Sequence, residues 1–279
     1  MEHSAAEHDH GPCVEIVAAG NEVLLGDVLD TNTNWLCRRV TVMGGRVTRE
    51  VLVRDEIEAI AAEVRGVLQR APALAFTVGG LGPTDDDTTL AGLAAGLDRG
   101  LAVHPEAERM VREKYTEFAA AGFVPFAEMN EARLKMACLP AGASPVVNPV
   151  GGAPGVVTAA GGTTFVSLPG VPEELMAIVN ESLDEVFATI FGVAHYDERA
   201  LVVDLQDESA IADILREVDA ASPGVYIKSR AQRMGPEVTI RVTLSARGRD
   251  GGEVSGLIVP AMEALAGRLA AAGFAVRPE

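Results

Sequence analysis

From residue 14 the chain repeats one pattern, an apolar run, a glycine turn and then an amphipathic stretch, and that repeat constrains the fold more than any other feature. "VEIVAAG" reads as a buried strand. "DTNTNWLCRRVTVMGG" follows as a helix with Asn32 or Thr33 as N-cap, Leu36, Val40 and Met43 on one face, and Gly44 closing it. A second strand over 47–53 runs into "DEIEAIAAEVRGVLQ". There Asp55 and Glu58 have capping-box spacing, and Ile57, Ile60, Val64, Val67 and Leu68 form the apolar stripe. A third strand, "ALAFTVGG", leads into a glycine turn and a helix carrying Leu90, Leu93 and Leu97. Strands alternating with helices predict an α/β domain with a mostly parallel sheet and helices on both faces. Ligands of such sheets gather at the carboxyl ends of the strands.

Further along, Pro105 opens a helix, a short helix covers about 131–137, and strands lie near Val156 and Phe165. After the turn "LPGVP", a long helix starts near Glu173, with Pro172 at its first position. Beyond residue 195 the pattern becomes β-α-β-β-α, the mark of a small two-layer α+β domain, and Pro260 predicts a kink or a late start in the last helix. The expected organisation is a disordered tail over 1–12, a main domain over 13–175, a connecting helix over 176–195 and the small domain over 196–279.

The chain has no uninterrupted apolar run near the ~18 residues of a membrane span, so no membrane partner is expected. A net charge of -17 repels polyphosphate, and no local basic stripe is found to offset it, so nucleic acid is not expected as a partner either. Cys13, Cys37 and Cys138 are widely spaced and form no C-x-x-C pair, which suits a reducing cytoplasm. The opening "MEHSAAEHDHGP" lacks the regions of a signal peptide. Its His3, His8 and His10 read as part of a tail more readily than as a metal site.

"TVGGLGPTDDDTT" sets three glycines against three consecutive aspartates. Gly79, Gly80 and Gly82 let several N–H groups converge on an anion, which the carboxylates would repel. A divalent cation such as Mg²⁺ between carboxylate and phosphate reconciles the two halves. In the bland alternative the glycines only turn the chain and Asp87 or Thr88 caps the next helix.

The motifs "AAGNEVLLGDVLDTNTNWL", "TVGGLGPTDDDTT", "NPVGGAPG" and "LPGVPEEL", in that order, resemble the molybdopterin-binding-like domain of the CinA (competence/damage-inducible) family over roughly residues 14–183. That domain is itself similar to molybdenum-cofactor proteins of the MogA, MoeA and gephyrin type. The resemblance implies a three-layer α/β/α domain followed by a KH-like one. The family's C-terminal nicotinamide mononucleotide deamidase has no counterpart here and would be a separate partner. The implied activity is metal-dependent cleavage of ADP-ribose or a related dinucleotide pyrophosphate. The alternative is molybdopterin-type ligand binding or adenylyl transfer in molybdenum cofactor biosynthesis.

Carried onto this sequence, the catalytic set is Asp87, Asp55 and Glu22, with Asp87 and Asp55 as metal ligands. Ligand contacts are expected from Gly79, Gly80, Gly82, Pro83, Thr84, Thr88 and Thr89, with Asn32, Asn148, Gly151, Gly155 and Pro169 from the other motifs. The sequence departs from the family pattern at Asn21 (for Asp), at Gly152 where a hydroxyl residue is usual, and at Arg133, Lys135 and Met136.

Each candidate also has a structural reading. Asp55 and Asp30 suit helix N-caps, and Arg133 and Lys135 suit either phosphate neutralisation or a solvated face. Glu22, among apolar residues, points to a cation or ligand contact, because an unpaired buried carboxylate is costly. "GRDG" at 248–251 formally fits a G-x-x-G RNA clamp, but it follows a strand and reads as a turn. A homo-oligomer is expected.

Overall fold

The computed structural model of the chain describes residues 11–192, 195–205, 207–231, 239–248 and 250–279, so the tail expected over 1–12 lies outside the described residues up to position 10. The chain divides into two compact units, one of Pro12–Val40 with Gly45–Gly192 and a smaller one whose elements begin at residue 195.

The larger unit begins with β1 (Cys13–Ala19), α1 (Asn21–Leu24), α2 (Thr31–Val42), β2 (Arg46–Val53), α3 (Ile57–Arg70) and β3 (Leu74–Val78). It continues with α4 (Thr89–Gly96), β4 (Leu101–Val103), α5 (Pro105–Ala120), α6 (Glu131–Lys135), β5 (Cys138–Pro140) and β6 (Ser144–Val146). β7 (Gly155–Ala160), β8 (Thr163–Leu168), α7 (Pro172–Glu181) and α8 (Asp184–Phe191) complete it. The sheet order is β2-β1-β3-β8-β7-β6, with β2, β1, β3 and β8 parallel. Only Gly161 and Gly162 separate β7 from β8, and both have positive φ (57° and 83°). A two-residue turn of that kind closes an antiparallel hairpin, whereas a parallel return needs a dozen or more residues. β7 therefore runs against β8, and β6 against β7.

All five residues of the central β3 are buried. Ile60, Val64 and Val67 of α3, Leu93 of α4, Val111 of α5 and Phe165 of β8 close around one core cluster. Glu15, buried in β1, is held by the guanidinium of Arg70 in two 2.7 Å hydrogen bonds.

Several helix ends differ from expectation. The side chain that caps α2 is Asp30, which accepts from Thr33 N at 2.9 Å and Thr33 Oγ1 at 2.6 Å; neither Asn32 nor Thr33 is the N-cap. The capping box of α3 does not form: Glu56 is its N-cap and makes no side-chain cap bond, and Glu58 pairs with Arg65. In place of one connecting helix over 176–195 there are two helices, α7 and α8. They are separated by Ser182 and the fully buried Leu183, and both lie within the larger unit.

The smaller unit holds β9 (His195–Asp204), a 3₁₀ turn (Glu208–Ile211), α9 (Ala212–Ala221), β10 (Val225–Ala231), β11 (Thr239–Gly248), α10 (Gly251–Ala271) and β12 (Val276–Pro278). Its sheet, β10-β11-β9-β12, is antiparallel throughout. α10 does not start late at Pro260. It begins at Gly251, capped by Asp250, which accepts from Glu253 N at 2.9 Å, and it continues through the proline. α10 is long and apolar enough, by length and composition alone, to cross a bilayer. Its Val254, Ile258, Ala261, Leu265 and Leu269 are core residues of this unit.

Candidate functional site

Because β1, β2, β3 and β8 are parallel, the loops after them share one edge of the sheet. Gly20 N donates to Val53 O at 3.2 Å and Gly79 N to Leu168 O at 3.0 Å, which ties the four strand ends together. Gly79 has φ 95°, and a Cβ there would stand 2.2 Å from Ala19 O, so only glycine fits between β1 and β3. Buried Pro169 follows β8, and Gly170 O accepts from Asn32 Nδ2 at 2.7 Å, which brings the start of α2 to the same edge.

The acidic loop folds back on itself. Asp87 N donates to Thr84 O at 3.1 Å, while Asp87 Oδ2 accepts from Thr84 N at 2.8 Å and Thr84 Oγ1 at 2.6 Å. A Cβ on Gly82 would lie 2.6 Å from that same Oδ2, so the glycine makes room for the folded-back carboxylate. Lys135 Nζ of α6 hydrogen-bonds Thr84 O. Asp86 is held below the ordinary carboxylate range by the Thr84 side chain first, then by a backbone amide, then by the Lys135 ammonium.

Asp55 turns toward this edge. Its Oδ2 accepts from Asn21 N at 2.7 Å, which explains why it does not cap α3. Burial pushes its carboxyl above the ordinary range against that hydrogen bond, and Glu22, Asp86 and Asp87 add like-charge repulsion. Asp55, Glu22, Asp86 and Asp87 thus share one electrostatic neighbourhood. Glu22 itself is exposed, in the first turn of α1, so the burial argument for it fails.

Among the described residues no three His, Cys, Asp or Glu side chains converge tightly enough to hold a metal ion. Of the carboxylates in this neighbourhood, the expected metal ligands Asp87 and Asp55 each have one oxygen already engaged. That set fits an ion which completes its shell with water and ligand phosphate, as Mg²⁺ does, and does not fit a dedicated protein cage.

The edge also carries unmet hydrogen-bonding demand. Asn21 Oδ1, Asn32 Oδ1, Thr88 Oγ1 and Thr89 Oγ1 are all buried and have no partner. A buried polar atom without a partner is uncommon and costly, and four of them around one loop cluster make a socket for polar groups of a ligand. Sequence reasoning did not single out Asn21 Oδ1 as a site atom, and it left Lys135 between phosphate neutralisation and a solvated face. The signals were the Asn in place of Asp at position 21 and the basic substitution before Pro140.

Three further expected contacts belong to the "NPVGGAPG" loop. Asn148 is an internal bolt of the "NPVGGAPG" loop: Oδ1 accepts from Val150 N and Gly151 N, and Nδ2 donates to Ala153 O and Glu174 Oε2. Burial first pushes the Glu174 carboxyl up, against the Asn148 bond. Gly151 packs against Glu174, where a Cβ would be 1.8 Å from Oε2, and Gly155 is buried under Ile178. Asn148 and Gly151 line a concavity of about 140 Å³ beside α5, which the glycine turn does not line.

Residues 15–188 match the family described as "Probable molybdopterin binding domain". The chain is 42% identical over 239 residues to a protein of Aeropyrum pernix, covering 85% of each, and 39% identical over 238 residues to one of Pyrobaculum calidifontis, covering 84% of this chain and 88% of that one. Its fold is similar to the crystal structure of the protein CinA, of unknown function, from Thermoplasma acidophilum. The TM-score is 0.56 at 32% identity, over 63% of this chain and 98% of that chain.

Proposed function

We propose a function from a plain premise: the chain belongs to the family of probable molybdopterin binding domains, with residues 15–188 as that domain and a CinA-type fold. We infer that its carboxyl edge binds a phosphate-bearing heterocycle of the molybdopterin type, a pterin or a nucleotide. The observation that carries this reading is the set of four buried, partnerless polar atoms around the glycine turn. Two of them, Asn21 Oδ1 and Asn32 Oδ1, can only accept, so they call for N–H or O–H donors such as those on a pterin or adenine edge. The Thr88 and Thr89 hydroxyls can donate to phosphate oxygens at the glycine turn, where the Gly79 N–H is already given to Leu168 O. Calorimetric titration of molybdopterin and of ATP, each with and without Mg²⁺, tests this. Micromolar binding of either supports the reading, formation of adenylylated pterin extends it to adenylyl transfer, and heat from neither ligand removes it.

Metal-dependent cleavage of ADP-ribose stays as a second reading because of Asp55, a partly buried carboxyl raised among three other carboxylates, a gathering of negative charge that a divalent cation would relieve. In that reading Asp87 and Asp55 would hold Mg²⁺, which would supply charge neutralisation at the pyrophosphate and an acidified water. The chain's own contribution is to orient the phosphates on the glycine turn. Release of AMP from ADP-ribose, lost in Asp87→Ala at equal folding, would favour it. Ligand binding without AMP release leaves the binding reading alone.

A further inference from the structure

The charge count of the whole chain hides a local reversal on the smaller unit's sheet. Val225 and Ile227 of β10 pack toward the helices, which leaves Tyr226, Lys228 and Arg230 on the opposite face. Ile240, Val242, Leu244 and Ala246 of β11 are core, so Arg241, Thr243 and Ser245 face outward with them. By the same alternation Val202 of β9 and Arg277 of β12 are on that outer side, since Val203 and Val276 pack inward, although Val202 itself is only 5% exposed. The register sets Arg230, Arg241, Val202 and Arg277 in one row across all four strands. Lys228 stands in the next row beside Thr243, and Tyr226 in the one after, beside Ser245.

Three strand spacings of about 4.8 Å make the arginine row about 14 Å long. Arg230 directly opposite Arg241 is a like-charge cross-strand pair, which destabilises a sheet unless an anion lies between. Arg241 is partly neutralised by Glu279 (2.5 Å) and Glu198 (3.7 Å). Lys228, Arg230 and Arg277 are exposed and make no ion pair or hydrogen bond among the described residues. Tyr226 exposes 59% of its surface beside them.

We propose that this face is a binding platform for a single-stranded polynucleotide. Arg230, Arg277 and Lys228, with Arg241 between them already engaged by Glu279, Glu198 and Thr243, span about 14 Å and can meet successive phosphates, more than one mononucleotide supplies. The exposed tyrosine offers a stacking surface for a base, and cations beside aromatics are how sequence-tolerant single-strand binders work. The cations come from segments at 228–230, 241 and 277, so no linear stripe announces them. The platform uses neither the "GRDG" stretch, whose Asp250 caps α10, nor the ligand site of the larger unit.

The test is fluorescence anisotropy of labelled oligo-U and oligo-dT with the full chain at about 50 mM and about 200 mM salt. Micromolar binding of either oligomer is expected at the lower salt. It should weaken roughly 20-fold at the higher salt, from about three phosphate contacts at a log–log slope of about -0.7 each. Lys228→Glu with Arg230→Glu should lose at least about tenfold, and Lys228→Gln with Arg230→Gln should lose less, both with unchanged melting temperature. Tyr226→Ala should lose about fivefold or more without changing the salt slope. The proposal is overturned by no binding below about 100 µM, by binding indifferent to the charge reversals, or by heparin binding as well as the oligomers with Tyr226→Ala silent. It is equally overturned if the reversals alter only self-association in sedimentation, which would make the partner a second acidic copy of this chain.

Discussion

Thr89 is 1% exposed and its hydroxyl meets no partner, so in the ligand-free chain it is a cost carried for something else. Thr89→Val keeps the shape and removes the unpaired group. It should stabilise the free protein by about 1 kcal/mol in denaturant titration while weakening pterin or nucleotide binding about tenfold. A loss of stability with unchanged binding would mark the hydroxyl as structural. Asp55 gives a pH signature. Its folded carboxyl lies above the ordinary value of about 3.9, so the ionised form penalises the native state at high pH, and the penalty disappears as pH falls below that value. Asp55→Asn should therefore melt higher than the wild type at neutral pH and equally near pH 3; a gap that persists or grows in acid contradicts this. At this scale the glycine turn was legible, because Gly79, Gly80 and Gly82 need close approach or left-handed backbone that local sequence announces. The unpaired atoms were not. Whether Asn21 Oδ1 finds a donor depends on what the ends of β2, β3 and β8 bring to it. Asp55 at capping-box spacing was equally ambiguous until Asn21 N claimed its carboxylate.

Among the elements, α10 shows how packing overrides propensity. Proline inside a helix removes one i→i−4 bond, here the one Gly256 O would accept, yet five core residues spread from Val254 to Leu269 hold the helix through it. Pro260 is exposed. Pro260→Ala should raise the smaller unit's stability by about 1–3 kcal/mol, seen as a later urea midpoint. A lower midpoint would mean that the proline bend fits α10 to its sheet. Strongly periodic helices such as α3 and α5 were readable from their stripes, and β1 and β3 from their apolar runs. β4, β5 and β6, with three residues each, have too little sequence to show a period, and β12 likewise. The break between α7 and α8 was missed because Leu183 continues the apolar stripe, while the acids Asp184 and Glu185 that start the next helix look like surface charge.

At the scale of the molecule, net charge does not describe local sign, since -17 summed over 279 residues coexists with a row of arginines on one sheet face. The alternation of strands and helices was a better one, and it foretold a parallel sheet but not the late hairpin that reverses β7. That sheet order sets a schedule for synthesis. β3, buried along its whole length, has β1 on one side and β8 on the other, and Thr77 Oγ1 meets Ser167 Oγ across that junction at 2.7 Å, 90 residues apart in sequence. A ribosome adding about 5–20 residues per second leaves one side of "LAFTV" open for about 5–20 seconds. Chains arrested before residue 163 should bind chaperones or aggregate and release once β8 emerges; arrested chains that stay dispersed without help would contradict this. The strand at the heart of the ligand edge is thus, for those seconds, an adhesive flank that the cell must shield.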